Sequence, residues 1–578
     1  MAEKVIMPKQ GLQMTEGTIR NWIVKEGETC EEGKPLFEME TDKLTITMDA
    51  PASGKLLKIV HGEGAVVPIT NTIAVIGQDG EDISAILKEA AAQTAAANGE
   101  EEAQEAPAVQ QEAAPAPQTS QNYDFDAVVI GAGPGGYVAA IRCAQFGLKT
   151  AIVEYREMGG TCLNRGCIPT KALLHSAEVY DEIVKDSKEL GINVENATVD
   201  YTAVAKRKNR IVKTLSGGVQ ALVKARKITI INGKAVLTGK NSFEADGKAY
   251  TAKNIILATG SEPARIPIPG IDKDGVMNSD GVLSSDTLPE SVVIIGGGVI
   301  GIEFDTLFNS FGKKVVIVEA LPRILNTLEE DVSSTMNKIL KKRGVEIHTG
   351  AKVTEIKDGL KVVFEENGKV GEAEGEAVVV AIGRRPLTAN IGLEKAGVEV
   401  NEKGFIKVND KMETSVPGIY AIGDITGKIQ LAHVASAQGM IAAANAAGKD
   451  KKMSYDIIPS CIYSNPEIAA VGLTEADAKA KGLNVRTGSF STAGNGRSKI
   501  LGCMDGYARL VTDARTGEIY GATIVAPHAT DMIAEIVTAM KAEATIEEIA
   551  DAIHPHPTVS EIIMEAAHDV DKLSVHKL

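Results

Sequence analysis

The sequence predicts an α/β protein with two Rossmann-like domains, an α+β domain after them and a small all-β domain in front, on a linker. Three observations support this prediction. A strand, a glycine-rich turn, a helix and a second strand follow one another twice, beginning near Phe125 and near Ser291. Short strands separated by Gly, Pro and Asp fill the first 80 residues. A stretch rich in Ala, Glu, Gln and Pro follows these strands.

Composition and charge exclude several classes of protein. A chain of 578 residues can hold several domains, and its formal net charge of -16 disfavours a nucleic-acid partner or a basic membrane-binding surface. We recognise neither a signal peptide nor an apolar run of transmembrane length. Of the six cysteines only Cys162 and Cys167 are close together, which does not resemble a secreted disulfide framework. We therefore expect a cytoplasmic protein that does not bind a membrane.

The first 80 residues are predicted to form a β domain. Its expected strands are 17–24, 35–40, 44–48 and 54–60, and residues Glu40–Lys43 lie between two of them, as a hairpin tip would. A lysine at an exposed tip is most often merely solvated, so Lys43 carries no function on this pattern alone.

Residues 81–121 are predicted to be a flexible linker. They contain almost no β-branched or aromatic residues, so they cannot bury enough apolar surface to offset the entropy of ordering. A flexible chain of about 35 residues has a root-mean-square span of about 30 Å. Such a linker would let the first domain move between sites, although a passive spacer is the simpler alternative.

The first Rossmann-like unit contains a dinucleotide-binding fingerprint. A strand from Phe125 leads into Gly131, Gly133 and Gly136, a helix follows, and the next strand ends at Glu154. In this context the glycines permit a tight turn and close approach to a pyrophosphate, and the acid accepts from a ribose hydroxyl. The pattern therefore predicts a bound dinucleotide.

The second unit repeats the fingerprint. Gly296, Gly298 and Gly301 follow the strand that begins at Ser291, and the next strand ends at Glu319. A carboxylate at this position accepts from a free 2′-hydroxyl and repels a 2′-phosphate, so we expect NAD rather than NADP here. Two such sites in one chain imply two dinucleotide cofactors.

The segment Gly159–Lys171 contains the close cysteine pair on a glycine-rich turn that leads into an amphipathic stretch. Thiols at a helix start can cycle between disulfide and dithiol, because the helix dipole favours a thiolate. The alternatives are half of a zinc site, for which the other cysteines supply no second pair, and a structural crosslink, which would close only a small loop. We favour a redox function for Cys162 and Cys167.

From about residue 124 onward the chain resembles the FAD-dependent pyridine nucleotide–disulfide oxidoreductases, and among them the dihydrolipoamide dehydrogenases. The resemblance is carried by the glycine loops and by five further segments: 159–171, 258–261, 381–386, 420–424 and 554–561. It implies an FAD- and NAD-dependent oxidoreductase that works as a homodimer. In such an enzyme dihydrolipoyl-lysine is reoxidised and its electrons pass through a Cys162–Cys167 disulfide and FAD to NAD.

The resemblance also implies roles for individual residues. His556, oriented by Glu561, would be the acid–base of a catalytic set with Cys162 and Cys167, contributed across the dimer interface, while His554 is expected to be structural. Thr558–Glu561 could instead be only a helix-capping box, and the two readings can coexist. Residues expected to contact FAD are Gly131, Gly133, Gly136, Glu154, Lys171, Thr259, Gly260, Ser261, Asp424, Leu431, Ala432 and His433. Those expected at the NAD site are Gly296, Gly298, Gly301, Glu303, Glu319, Val353 and Gly383, with Glu303 also the ion-pair partner of Lys171.

The first domain resembles lipoyl and biotinyl carrier domains. Asp42 and Leu44 flank Lys43, whereas biotin carriers have Met on both sides, so lipoate bound covalently to Lys43 is favoured. The expected partner is a lipoyl-bearing acyltransferase (E2) of a 2-oxo acid, acetoin or similar dehydrogenase complex, with this chain as the E3 component. The expected domain ranges are 1–80 for the lipoyl-type domain, 81–121 for the linker, 122–271 for FAD, 272–387 for NAD, 388–455 for completion of the FAD site and 456–578 for dimerisation.

Two departures and two rival functions stand beside this resemblance. Most such enzymes begin at the FAD domain, and Asp305, in the helix after the second glycine loop, is an acid where a small or apolar residue is expected. Another disulfide reductase of the superfamily is one rival, but glutathione reductases prefer NADP and mercuric reductases carry a C-terminal cysteine pair. A lipoyl carrier or scaffold without catalysis is the other. Cys30, Cys143, Cys461 and Cys503 are expected to be buried and unreactive.

Overall fold

A computed structural model describes residues 2–8, 16–40, 45–81, 83–84, 86–88, 90 and 122–577. The chain divides into two compact units, Met1–Thr119 and Ser120–Leu578. Among the residues described, no helix combines the length and apolar character needed to cross a membrane.

The described residues of the first unit form two antiparallel four-stranded sheets, as the sequence predicts for a small all-β domain. In sheet order the strands are Glu3–Ile6, Thr72–Gly77, Gly54–Ile59 and Thr29–Cys30 in one sheet, and Thr45–Asp49, Pro35–Glu40, Glu16–Trp22 and Val66–Pro68 in the other. Side chains that alternate along these strands meet in one core, in which the rings of Trp22 and Phe37 lie 5.1 Å apart.

The hairpin around the expected lipoyl lysine can be followed up to its tip. Strands Pro35–Glu40 and Thr45–Asp49 pair antiparallel, with Glu40 opposite Thr45. The tip, residues 41–44, which includes Lys43, lies outside the described residues.

The predicted linker does not lose regular structure at residue 81. Ser84, Ile86, Leu87, Lys88 and Ala90 are helical, and the Leu87 N–H donates to the Ile83 carbonyl at 3.1 Å. The sequence supplies a reason, because apolar side chains at Ile83, Ile86 and Leu87 precede the Ala/Glu/Pro-rich stretch. Regular structure therefore continues for several residues into the range predicted as linker.

The second unit begins with a mainly parallel sheet. Its parallel strands, in sheet order, are Thr229–Asn232, Thr150–Glu154, Phe125–Ile130, Lys248–Leu257 and Ile419–Ala421, and the hairpin strands Ser242–Ala245 and Val236–Gly239 extend Lys248–Leu257 antiparallel. The strands read as continuous apolar runs, which a sheet covered on both faces requires. The helices of this region are Pro134–Gln145, Gly160–Arg165, Cys167–Asp181 and Tyr201–Ala225, with a π-helical turn at Glu182–Asp186.

A second parallel sheet follows. Its strands, in sheet order, are Val276–Asn278, Ala377–Val380, Ser291–Ile295, Lys314–Glu319 and Glu346–Thr349. Its helices are Ser279–Ser284, Val299–Ser310 and Glu330–Lys342. An antiparallel sheet of Ala351–Lys357, Lys361–Glu366 and Lys369–Glu374 packs beside it through a shared apolar cluster. Both predicted Rossmann-like units are thus present.

Several shorter elements link the two parallel sheets to each other and to the final domain. They are the paired strands Ser261–Pro263 and Arg384–Pro386, the helices Leu393–Ala396 and Ala432–Ala446, and a 3-10 turn at Gly423–Thr426. The strand Ile419–Ala421 pairs parallel with Lys248–Leu257, so residues far along the chain complete the first sheet.

The final region is an antiparallel five-stranded sheet covered by helices. Its strands, in sheet order, are Ser460–Ile462, Glu467–Gly472, Ile519–Ala526, Tyr507–Asp513 and Val485–Ser491. The helices of this region are between 5 and 13 residues long. Residues 456–577, all described, contain five: Glu475–Ala480, Gly496–Ile500, Ala529–Lys541, Ile546–Asp551 and Glu561–Val570, besides a 3-10 turn at Thr492–Gly494. The short ones begin at single capping residues such as Thr474 and Asn495, which a periodicity search misses.

Candidate active site

The first glycine loop joins strand Phe125–Ile130 to helix Pro134–Gln145 and has room for a ligand at one glycine only. A Cβ on Gly131 would lie 2.2 Å from the Ala258 carbonyl oxygen, and one on Gly136 would lie 1.9 Å from the Gly131 carbonyl oxygen. A Cβ on Gly133 would meet no protein atom within 4 Å. Two glycines therefore serve backbone packing, while the third leaves an open cradle at a helix N-terminus.

The second glycine loop repeats this arrangement between Ser291–Ile295 and Val299–Ser310. A Cβ on Gly296 would lie 2.5 Å from the Ala381 carbonyl oxygen, and one on Gly301 would lie 1.9 Å from the Gly296 carbonyl oxygen. Gly298 again has no neighbour within 4 Å. The same cradle is thus built twice.

An acid stands at the same place beside each loop. Glu154 accepts from the Ala132 N–H at 2.8 Å, and Glu319 accepts from the Gly297 N–H at 2.5 Å. Each carboxylate also accepts from backbone beyond its strand, as Glu319 does from Leu321 N at 2.7 Å. Because these bonds fix the carboxylates beside the open glycines, both acids are placed to accept from a ribose hydroxyl.

A cavity of about 410 Å³ is lined by the glycines of the first loop, whereas the second fingerprint contributes Val299 and Ile300 to its lining but none of its glycines. Both close cysteines line it, together with eleven residues expected to contact FAD: Gly131, Gly133, Gly136, Glu154, Lys171, Thr259, Gly260, Ser261, Asp424, Leu431 and Ala432. Glu303, assigned in the sequence interpretation to the NAD site, lines the same cavity. Gly296, Gly298, Gly301, Glu319, Val353 and Gly383 do not line it.

The two thiols sit on consecutive helices rather than on one turn. Cys162 lies within Gly160–Arg165, and Cys167 is the first residue of Cys167–Asp181, with Gly166 between the helices. Both are free thiols in this structure. The hydrogen bond donated by Cys162 lowers the pKa of Cys167 to about 7, with further help from Lys171 and against the effect of burial. The same bond, with burial, raises the pKa of Cys162. The reduced pair therefore keeps its proton on Cys162 and its thiolate on Cys167.

Lys171 stands one helical turn after Cys167 and is held by two other elements. Its Nζ lies 2.8 Å from Glu303 Oε2 and 4.5 Å from the ring centre of Tyr463. Glu303 also accepts from the Tyr463 N–H at 3.1 Å. The ammonium is therefore fixed at the cavity wall, beside the Cys167 thiolate.

A polar cluster closes another side of the cavity. Arg384 donates to Ser261 Oγ at 2.7 Å and to the Ser261 carbonyl at 2.8 Å, and Ser261 Oγ donates to Asp424. Asp424 lies on the 3-10 turn that fully buried Gln438 holds through the Gly423 N–H at 2.6 Å. The carboxylate is thus positioned at the wall of the cavity by hydrogen bonds alone.

His556 and Glu561 form a pair in the final domain. His556 Nδ1 lies 2.9 Å from Glu561 Oε1, while Glu561 Oε2 accepts from the Thr558 N–H at 2.8 Å. Glu561 therefore pairs with the histidine and bonds the backbone at the helix start at the same time. Although burial opposes ionisation, these hydrogen bonds lower the pKa of Glu561. The His556 side chain is 78% exposed, so the imidazole faces outward from this chain.

Other residues named from the sequence lie elsewhere. His433 is outside the cavity lining, and its Nε2 lies 2.9 Å from the Pro459 carbonyl. His554 is bound to Glu535 at 2.9 Å and is nearly buried, which fits a structural role. Val353 lies on strand Ala351–Lys357, and Gly383 (φ +107°) has no neighbour within 4 Å of a Cβ. Among the described residues no group of His, Cys, Asp and Glu side chains could hold a metal ion.

The remaining cysteines differ in part from the expectation of buried thiols. Cys30 and Cys143 are buried, but Cys461 and Cys503 are only half-buried, and Cys461 lines the cavity. Burial raises the pKa of Cys143 to about 12 and that of Cys461 to about 11, so neither is a thiolate at neutral pH.

Sequence reasoning missed Tyr463, Gln438 and Arg384 as site residues. Tyr463 and Gln438 act from elements distant in sequence, so no local motif marks them. Arg384 lies within the 381–386 segment that carried the resemblance, and that segment was the one available signal.

Comparison with known proteins agrees with this architecture. Residues 125–439 match the family model described as pyridine nucleotide-disulphide oxidoreductase, and residues 458–567 match the dimerisation domain of that family. Residues 3–76 match the biotin/lipoyl model described as biotin-requiring enzyme. The chain belongs to the pyridine nucleotide-disulphide oxidoreductase family. The dihydrolipoyl dehydrogenases of this family use FAD and NAD, and the dimerisation domain indicates a homodimer.

Similar curated proteins span most of the chain. The dihydrolipoyl dehydrogenase of Chlamydia muridarum is 44% identical over 77% of this chain and 97% of its own length, and that of Geobacillus stearothermophilus is 43% identical over 77% and 96%. Among solved structures, LpdA from Mycobacterium tuberculosis has a TM-score of 0.71 at 26% identity, covering 76% of this chain and 99% of its own.

The residues present fit the cofactors of the family. The open cradle at Gly133 lies inside the cavity that holds both thiols, as an FAD bound next to a redox pair requires. The equivalent cradle at Gly298, with Glu319 beside it, suits a second dinucleotide with a free 2′-hydroxyl.

Proposed function

We propose that this chain is a dihydrolipoyl dehydrogenase that reoxidises protein-bound dihydrolipoyl-lysine with NAD. The observation that carries the proposal is that Cys162, Cys167 and the first glycine loop line the same cavity. The curated relatives at 43–44% identity named dihydrolipoyl dehydrogenase support it.

In this proposal the two cysteines form the disulfide that accepts the electrons of the substrate. One substrate thiolate attacks Cys162 and forms a mixed disulfide, and Cys167 leaves as a thiolate. The second substrate sulfur then attacks the mixed disulfide, which releases the oxidised lipoyl disulfide and leaves the cysteine pair reduced. Because the hydrogen bond from Cys162 and the nearby Lys171 ammonium lower the pKa of Cys167, it leaves more readily as a thiolate.

Protons are handled by His556 in the same proposal. Each substrate S–H must lose its proton before attack, and an imidazole is suited to accept it near neutral pH. Glu561 fixes the ring through Nδ1, which leaves Nε2 to face the thiol. The exposure of the ring suits a histidine that serves the thiol pair of a second copy of the chain.

The cofactors take the roles expected from the two cradles. FAD, when bound, carries two electrons from the reduced cysteine pair toward NAD. Gly133 would face its pyrophosphate, Glu154 its ribose, and Asp424 and Lys171 its remaining polar groups at the cavity wall. Gly298, with Glu319, would hold NAD in the second loop.

We extend the proposal to the first domain and to partners. Lys43 would carry lipoate, supported by the biotin/lipoyl match and by the antiparallel strands on either side of the tip. An E2 acyltransferase of a 2-oxo acid, acetoin or similar complex would be the partner, and the cytoplasm the location.

Substrate discrimination by the purified holoenzyme tests the proposed function. We expect free dihydrolipoamide to reduce NAD, with reduced glutathione in its place giving at least a hundredfold lower rate. NADP should be at least tenfold poorer than NAD, because Glu319 would face the 2′-phosphate. A scaffold would give no rate with any of these substrates. A preference for glutathione and NADP would identify another disulfide reductase instead.

A further inference from the structure

The last helix, Glu561–Val570, carries three carboxylates on one face. Glu561, Glu565 and Asp569 are spaced four residues apart, so they lie one turn above another. Glu561 holds His556, whereas Glu565 and Asp569 are only 4% and 5% exposed. Two ionised side chains so deeply buried require compensating partners.

Residues Ser574, His576 and Lys577, here called the clamp, supply most of that compensation. His576 Nδ1 lies 2.6 Å from Glu565 Oε1, and Ser574 Oγ donates to Glu565 Oε2 at 2.5 Å. Lys577 Nζ donates to Asp569 Oδ2 at 2.6 Å and also to the Ser489 carbonyl at 2.8 Å. The clamp therefore bonds to the buried face of the helix, and through Lys577 it also bonds to the neighbouring strand.

Two further contacts reach Asp569 and differ in quality. The Ser489 N–H donates to Asp569 Oδ2 at 2.8 Å, while Lys572 Nζ lies 3.5 Å from the same oxygen and is 73% exposed. An exposed ion pair at that distance contributes little. Lys577 is thus the close cation of Asp569.

We propose that the clamp positions the His556–Glu561 pair for the dithiol reaction, with His576 and Lys577 acting through Glu565 and Asp569. Without the clamp, Asp569 loses the Lys577 ammonium and Glu565 loses its bonds to Ser574 and His576, and the helix must move to bring these carboxylates toward water. Glu561 is the first residue of that helix, one turn from Glu565, so His556 would move with it. This inference rests on the proposed function.

The test compares Lys577→Gln with Lys572→Gln. The second variant also removes a cation near Asp569, but this cation is the exposed one. For each holoenzyme we measure NAD reduction by dihydrolipoamide and, separately, ferricyanide reduction by NADH, which needs no thiol deprotonation. Lys577→Gln should lower kcat with dihydrolipoamide about tenfold or more, since a small misplacement of an acid–base group is costly. Its ferricyanide activity should stay within about twofold of wild type, as both activities should in Lys572→Gln.

Lys577→Arg, which keeps the charge, should restore most of the dihydrolipoamide activity. Ser574→Ala provides a milder variant in case Lys577→Gln does not fold, with about a threefold loss expected from one missing hydrogen bond to Glu565. Equal losses of both activities, or no loss in either, would overturn the positioning role. A wild-type enzyme without dihydrolipoamide activity would instead refute the proposed function.

Discussion

The two glycine loops are close copies in backbone but differ in what surrounds them. A Cβ on Gly131 or Gly296 would meet the carbonyl of the residue just after the neighbouring strand of the sheet, Ala258 or Ala381. Gly133 and Gly298 are open, and a Cβ on Gly136 or Gly301 would meet the carbonyl of the first glycine of its own loop. The glycines of the first loop line the cavity with the cysteine pair, whereas those of the second loop do not. The same loop structure thus suits two cofactors. Only the site at the first loop lies next to the thiol pair.

A second difference lies nearly two turns into the helix after each loop. Ala140 and Asp305 hold the same position relative to Gly131 and Gly296, and both are fully buried. Neither carboxylate oxygen of Asp305 has a hydrogen-bond partner, and burial raises its pKa to about 7 against the pull of Arg343. The second loop therefore carries a buried acid that the first loop does without.

The largest effect should come from adding a methyl group at the tightly packed third glycine of each loop. Gly136→Ala and Gly301→Ala each place a Cβ 1.9 Å from a carbonyl oxygen, and we expect each to lower the free energy of unfolding by about 3 kcal/mol. Gly136→Ala should also lose flavin absorbance and all activity. Gly301→Ala should keep the flavin and lose only the NAD-dependent reactions.

Gly217→Ala is the control, since this glycine lies inside helix Tyr201–Ala225 with no neighbour within 4 Å of a Cβ, and it should be neutral or slightly stabilising. If Gly301→Ala lost its flavin while Gly136→Ala kept it, the assignment of the two loops would be reversed.

Asp305→Ala should show how costly the buried acid of the second loop is. Burial raises the pKa of Asp305 to about 7 in the folded chain, well above the ordinary range of an aspartate, so ionisation opposes folding. The contribution of Asp305 to wild-type stability should therefore be most favourable below pH 4 and should fall between about pH 4 and pH 7, by up to about 4 kcal/mol.

In Asp305→Ala this fall should be absent, and unfolding by denaturant at pH 5 and pH 8 measures the difference. Asp286→Ala, an exposed acid on the same domain, is the control. A variant less stable than wild type at pH 8 would mean that Asp305 has a favourable partner.

Much of the fold and of the candidate site could be predicted from the sequence. The features that were missed have physical reasons. Both loops, their acids and the cysteine pair are local patterns, so residues such as Gly131 and Glu319 could be named from spacing. The position of Tyr463 beside Lys171 depends on how the final domain packs, and the buried environment of Asp305 depends on its neighbours. The short helices of the final domain start at single capping residues, too weak a signal to find without the structure.

A smaller effect should separate the two acids. Glu319→Ala removes the acceptor expected for the NAD ribose, which should raise KM for NAD about tenfold, since a hydrogen bond to a charged group contributes about 1.5–3 kcal/mol. Flavin content should not change, whereas Glu154→Ala should lower it. Glu330→Ala, at an exposed acid on the following helix, should leave KM unchanged. An unaltered KM in Glu319→Ala would remove this residue from the NAD site.

The central claim is that electrons pass from the substrate thiols through the cysteine pair to the cofactor at the first loop. NAD reduction by dihydrolipoamide in Cys162→Ser and Cys167→Ser tests this claim most directly. Cys503→Ser is the control, because Cys503 lies outside the cavity. We predict that both cavity variants retain flavin but lose at least a thousandfold in rate, because a serine cannot form the disulfide. Cys503→Ser should match wild type. Either cavity variant turning over at the wild-type rate would contradict the account.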